Sequence, residues 1–186
     1  MAAGTLSGLR SSRMVVAGTG LRILLAPAAV ALLLGGSDIA AAVVFAVAAV
    51  TDWFDGMLAR RWGVTTRFGA FLDTTADKLL VSTALIALVA IDRASPWIAI
   101  VIIAREFTIL GLRTAVASHG HEFATSMLGK WKATAQFGAI TLAMVRPDVL
   151  IGDEYLDEWV LLAAAIVTFW SGVDYLGRFA SALRSS

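Results

Sequence analysis

Asp52, Asp55, Asp73 and Asp77 fall within 26 residues, between two stretches apolar enough to enter a bilayer. Ionised carboxylates are costly there, roughly 2.5 to 3.5 kcal/mol each at mid-span even on insertion scales. Asp52, Asp55, Gly56 and Ala59 recur at i, i+3, i+4 and i+7, and Gly69, Asp73 and Asp77 at i, i+4 and i+8, so each set lines one face of a helix. The flanking apolar blocks, Ile39 to Val50 with 12 residues and Leu79 to Ile91 with 13, reach about 18 to 20 Å at about 1.5 Å per residue. A bilayer core is about 30 Å thick. Helices that start at one surface therefore carry both acid pairs to a similar depth below the opposite headgroups, facing one another. Four clustered anions then need a cation between them. The chain has no cysteine and only two histidines, so oxygen ligands point to hard divalent ions, Mg²⁺ or Mn²⁺ foremost and Ca²⁺ behind them. Four carboxylates suit two ions better than one, an arrangement used for phosphoryl displacement. The alternative is that the acids form buried salt bridges with Arg60, Arg61, Arg67 or Lys78. Gly56 and Ala59 would allow close helix packing, and beside metal ions they would also clear space for a large ligand.

The elements that must position these acids are membrane helices. Hydrophobic residues make up 59% of the 186 residues and charged ones 16%, and the mean hydropathy is +0.80, outside the range of soluble domains. Apolar blocks at 21–34, 39–50, 79–91, 97–104, 137–145 and 159–170 predict an all-α protein of six transmembrane helices. Several blocks are shorter than the roughly 20 residues of a span, so the helices must continue into polar flanks. Gly35-Gly36-Ser37-Asp38 and Asp92-Arg93-Ala94-Ser95-Pro96 read as tight turns between antiparallel neighbours. With six spans, 13 of the 15 Lys/Arg fall on the side of the termini and only Arg93 and Arg146 on the other, which predicts that both termini are cytoplasmic. The acidic loop from Arg146 to Glu158 is then external. Trp62, Trp97, Trp131 and Trp159 stand near span ends, as interfacial tryptophans do. The basic start MAAGTLSGLRSSR precedes an apolar run, but Arg22 interrupts that run and no A-x-A cleavage site follows. Residues 1–18 are therefore expected to form an amphipathic cytoplasmic juxtamembrane segment, residues 19–180 the six-helix domain and 181–186 a cytoplasmic tail. A net charge of +1 gives no sign of nucleic-acid binding. His119 and His121 lie in a polar loop and are expected to face solvent.

The acid-rich stretch matches D-x2-D-G-x2-A-R-x8-G-x3-D-x3-D in full, as Asp52, Asp55, Gly56, Ala59, Arg60, Gly69, Asp73 and Asp77. It resembles the signature of the CDP-alcohol phosphotransferases. TDWFDG, LARRW, TRFGAFLD and ADK, with IARE at 103–106, Leu112-Arg113, GKWKATAQ at 129–136 and FWSGVDYL at 169–176, resemble the bacterial branch that forms phosphatidylglycerophosphate. Likeness to that branch runs from about Thr19. Before it, the branch's usual Asn-Ile-Pro-Asn-like stretch is absent, and only Thr19 and Arg22 remain of the pattern.

The resemblance implies a homodimer in the bacterial cytoplasmic membrane, with the active site facing the cytoplasm and membrane lipid as its surroundings. It also implies attack by an alcohol on CDP-diacylglycerol with release of CMP, the alcohol of this branch being sn-glycerol 3-phosphate. In the family pattern Asp52, Asp55 and Asp73 are metal ligands, and Asp77 both contacts a metal and takes the proton of the attacking hydroxyl. Gly56, Ala59, Arg60 and Gly69 would receive the cytidine end of the donor, with Thr19 and Arg22 bordering it; for Arg22, snorkelling to the interface is the alternative. The acceptor's phosphate calls for several cations, and Arg105, Arg113, Lys130 and Lys132 are the candidates, with Glu106 expected to orient Arg105 or a lysine. Asp174 and Arg178, at i and i+4, are expected simply to pair. Other acceptors within the family are inositol phosphate, serine, or phosphatidylglycerol as in a cardiolipin synthase. A membrane prenyltransferase lacks the D-G-x2-A-R continuation, and a divalent-cation transporter leaves Gly56, Ala59, Arg60 and the cation set unexplained.

Overall fold

The computed structural model describes residues 2–62, 67–118 and 127–184, with side chains over 18–51, 69, 71–117 and 131–179. These residues form six helices: α1 (Ala2–Leu34), α2 (Asp38–Trp62), α3 (Arg67–Ala90), α4 (Pro96–Ser118), α5 (Met127–Val145) and α6 (Leu156–Arg184). The all-α expectation holds, and each helix outruns the apolar block that announced it. Helix α1 is continuous from Ala2, so residues 2–18 extend the first helix without a break. The side chains of residues 1–17 lie outside the described set.

The two turns read from the sequence are built by helix-stop chemistry. After α1, Gly36 takes a φ of 77°. Its N–H bonds to the Leu33 carbonyl at 3.0 Å and that of Ser37 to the Leu32 carbonyl at 2.9 Å, a Schellman stop that favours glycine at the left-handed position. The stop after α3 has the same form with Asp92 at a φ of 56°, and the Arg93 N–H reaches the Leu88 carbonyl at 2.9 Å. Aspartate is among the few side chains that tolerate this region. Ser95 then leads into α4 with Pro96 at its first position, where a missing N–H costs nothing.

The chain divides into two compact units, Met1–Ala87 and Leu88–Ser186. In the first, α1 and α2 pack as a helical hairpin, and Ala26, Ala29, Ala41, Ala42, Ala48, Ala76 and Ala84 are buried around Phe45, Leu80 and Leu85. In the second, α6 packs against both α4 and α5 over Ile102, Ile140, Ala143, Met144 and Leu161. Small residues inside let helices approach closely where no hydrophobic drive separates core from surroundings. The exterior is the inverse: Leu24 is 70% exposed, Ile39 63% and Trp170 62%, a surface suited to lipid rather than water. Among the described residues Leu156–Phe179 is long and apolar enough to cross a bilayer by itself, while Gly18–Leu34 and Asp38–Thr51 are shorter apolar stretches. Trp97, Trp131 and Trp159 are all exposed.

The sequence did not announce a small antiparallel hairpin ahead of α6, β1 (Leu150–Ile151) and β2 (Glu154–Tyr155), with Leu150 opposite Tyr155 and Ile151 opposite Glu154. Gly152, at a φ of 69°, stands first in its two-residue turn, as such hairpins prefer. Beside it Arg146 lies 4.1 Å from the centre of the Tyr155 ring and donates to Glu158 Oε1 at 3.1 Å. Arg93 donates to the Met144 carbonyl at 2.9 Å, so both of the expected external arginines are spent tying this end of the second unit together.

Candidate active site

Asp73 and Asp77 stand one turn apart on α3, and the first unit builds a specific environment for each. Arg22 Nη1 of α1 donates to Asp73 Oδ1 at 3.0 Å and to the Asp73 carbonyl at 3.4 Å. Thr19 Oγ1, one turn earlier on α1, donates to the same Oδ1 at 3.4 Å. Arg22 is only 2% exposed, so it does not snorkel to an interface; its guanidinium is turned inward and held by a carboxylate. Asp77 Oδ2 accepts from Lys78 Nζ at 3.1 Å, one of the ion pairs weighed as an alternative. Among the described residues the Asp73 partner is Arg22, 51 residues away; the side chains of Arg60, Arg61 and Arg67, which the sequence suggested, lie outside the described residues. Gly69, one turn before Asp73 on the same face, is buried.

These pairings use one oxygen of each carboxylate. Asp73 Oδ2 and Asp77 Oδ1 have no hydrogen-bond donor among the described residues, and the two side chains remain 32% and 20% exposed. Two partly exposed carboxylates in i, i+4 register fit a hard divalent cation, which takes oxygen ligands and keeps some of its water. Helix α2 carries Asp52, Asp55, Gly56, Ala59 and Arg60 in its last stretch, on one face by their spacing. Their side chains lie outside the described residues, as does that of Lys130.

The second unit holds a polar network with the opposite character. Glu106 on α4 is 1% exposed, and its Oε1 accepts from Arg105 Nη1 at 3.3 Å, from Gln136 Nε2 at 3.3 Å, and from Lys132 Nζ. Gln136 Nε2 also donates to Thr168 Oγ1 of α6 at 2.8 Å, and Arg105 Nη2 to Ser171 Oγ at 2.9 Å. Glu106, expected to orient Arg105 or a lysine, meets both Arg105 and Lys132. Lys132 is 4% exposed, and Arg113 stands exposed two turns along α4 from Arg105. Gln136, Thr168 and Ser171 were missed because neutral polar residues on an apolar helix carry no spacing signal of their own. Asp174 and Arg178 pair at 3.1 Å on the exposed side of α6.

By fold and site, this is an all-helical protein with an apolar exterior, a carboxylate face on α3 and a buried cation–carboxylate network between α4, α5 and α6. It belongs to the CDP-alcohol phosphatidyltransferase family, whose sequence model matches residues 17–170. Among its relatives is the CDP-diacylglycerol–glycerol-3-phosphate 3-phosphatidyltransferase of Escherichia coli strain K12, 47% identical over 145 residues, covering 75% of this chain and 78% of the relative. The protein of the same name from Shigella flexneri serotype 5b is similar to the same extent.

Proposed function

We propose that the chain transfers the phosphatidyl group of CDP-diacylglycerol to sn-glycerol 3-phosphate, yielding phosphatidylglycerophosphate and CMP. The observation that carries this reading is the 47% identity, over 78% of their length, to proteins named for that reaction. The complete eight-position signature and the partly exposed carboxylates of Asp73 and Asp77 support it. The exposed apolar surface and the cation count on the side of the termini favour six spans in a bacterial cytoplasmic membrane, both termini cytoplasmic, and a homodimer as in the family.

Asp52, Asp55, Asp73 and Asp77 would hold two divalent cations, Mg²⁺ or Mn²⁺, which when bound neutralise the diphosphate and stabilise the departing CMP phosphate. Thr19 and Arg22 fix Asp73 from behind, so that its second oxygen keeps one direction. Gly56, Ala59, Arg60 and Gly69 receive the cytidine end of the donor. Asp77 accepts the proton of the acceptor's hydroxyl as that oxygen bonds to the phosphorus carrying the diacylglycerol ester. The bond from this phosphorus to the bridging oxygen breaks, and CMP leaves with the electron pair. Arg105, Arg113 and Lys130 hold the acceptor's phosphate, with Lys132 paired to the Glu106 that also holds Arg105.

The test is CMP release by the purified chain in lipid–detergent micelles with CDP-diacylglycerol and Mg²⁺, offering glycerol 3-phosphate, inositol phosphate, serine or phosphatidylglycerol in turn. Release is expected with glycerol 3-phosphate alone. Release with another acceptor, or with none, would overturn the assignment.

A further inference from the structure

Three segments distant in sequence, IARE on α4, GKWKATAQ on α5 and FWSGVDYL on α6, meet in the buried network around Glu106. The first two contain candidate phosphate ligands; the third brings the neutral Ser171 and Gly172 to Arg105. We propose that Ser171 and Gly172 of α6 are positioning residues that set the rotamer of Arg105 for the acceptor's phosphate, while Glu106 and Lys132 form the neutral buried base of that shelf. This rests on the functional reading above, which makes Arg105 a phosphate ligand.

Charge and donor counts support the division. Lys132 and Arg105 share one carboxylate, so one positive charge remains in excess. Lys132, 4% exposed, is the cation sealed against Glu106, and Arg105 is the more accessible at 13%. Arginine has five N–H donors in a rigid fork. Among the described residues one Nη1 donor goes to Glu106 and one Nη2 donor to Ser171, and Nε is buried, which leaves one N–H on each terminal nitrogen to meet a phosphate. The stem is fixed from the other side. A Cβ on Gly172 would lie 2.9 Å from Arg105 Cγ and 3.5 Å from its Nε, and Cγ is too near the backbone to swing aside. Only glycine there lets Arg105 lie flat along α6. Gly177, further along the same helix, has open space around it and serves as a control.

The experiment measures KM for glycerol 3-phosphate and for CDP-diacylglycerol separately in the full-length protein, with its thermal midpoint. A hydrogen bond to a charged group contributes about 1.5 kcal/mol, so Ser171→Ala should raise KM for glycerol 3-phosphate about tenfold. KM for CDP-diacylglycerol should not move. Gly172→Ala should do the same or more, and Gly177→Ala neither. In an Arg105→Lys background Ser171→Ala should add nothing, since its partner's fork is gone. Equal changes in both KM values, or full additivity with Arg105→Lys, would overturn the positioning role and leave the functional reading standing. A wild-type protein that ignores glycerol 3-phosphate would overturn both.

Discussion

Asp73 and Glu106 are each a carboxylate clamped by an arginine on a helix of an apolar bundle, yet the two regions solve the cost of burial in opposite ways. Glu106 is 1% exposed and gives one oxygen to three donors from α4 and α5; its charge is consumed within the protein. Asp73 and Asp77 each engage a cation through one oxygen, and their side chains remain 32% and 20% exposed. A buried ion pair that is fully enclosed fixes geometry and contributes little net stability, whereas breaking it by removing one partner is expensive. A half-open pair keeps its acid available. The contrast separates an acid enclosed within the molecule from acids left partly exposed, although residue type and helix setting are alike.

Substitution of the two kinds of acid should therefore give opposite signatures. The largest effect is expected at Asp77→Asn, which preserves shape and removes the proton acceptor. CMP release should fall by about 10²–10⁴-fold, the usual contribution of a general base, with the thermal midpoint and nucleotide binding little changed. A collapse of the midpoint would move Asp77 into the structural class. Glu106→Ala should show the reverse order of effects. It strands Lys132 in a buried site and is expected to cost about 3 kcal/mol of stability, seen as a lowered midpoint in detergent, with the donor KM of the surviving folded fraction retained. An unchanged midpoint would mean that Glu106 is not spent internally.

Much of the fold was legible because apolar blocks and helix punctuation leave strong marks. Six apolar blocks gave six helices, and Gly36 and Asp92 sit where the chain must turn left-handed. The hairpin at 150–155 was not legible, since two residues a side are too few for a period to register. The D-x3-D register of Asp73 and Asp77 could be read directly, because helix spacing alone puts both on one face. The clamp on Asp73 could not, because Arg22 is 51 residues away and one basic residue near a span end is equally compatible with snorkelling. Charge also misleads about use. Lys130, Lys132, Arg105 and Arg113 read as one cationic set, but Lys132 is buried against Glu106 while Arg113 is exposed. Whether a cation is already spent depends on the rotation of α5 against α4, and one-dimensional spacing does not record that rotation.

Whether the carboxylates of Asp73 and Asp77 hold a divalent cation can be tested without turnover. Mn²⁺ can be titrated onto the purified protein and free ion followed by electron paramagnetic resonance, comparing the wild type with an Asp73→Asn/Asp77→Asn variant of matched thermal midpoint. Saturable Mn²⁺ binding is expected for the wild type, displaced by Mg²⁺ and lost in the variant. Binding of equal stoichiometry and affinity in both proteins would contradict it.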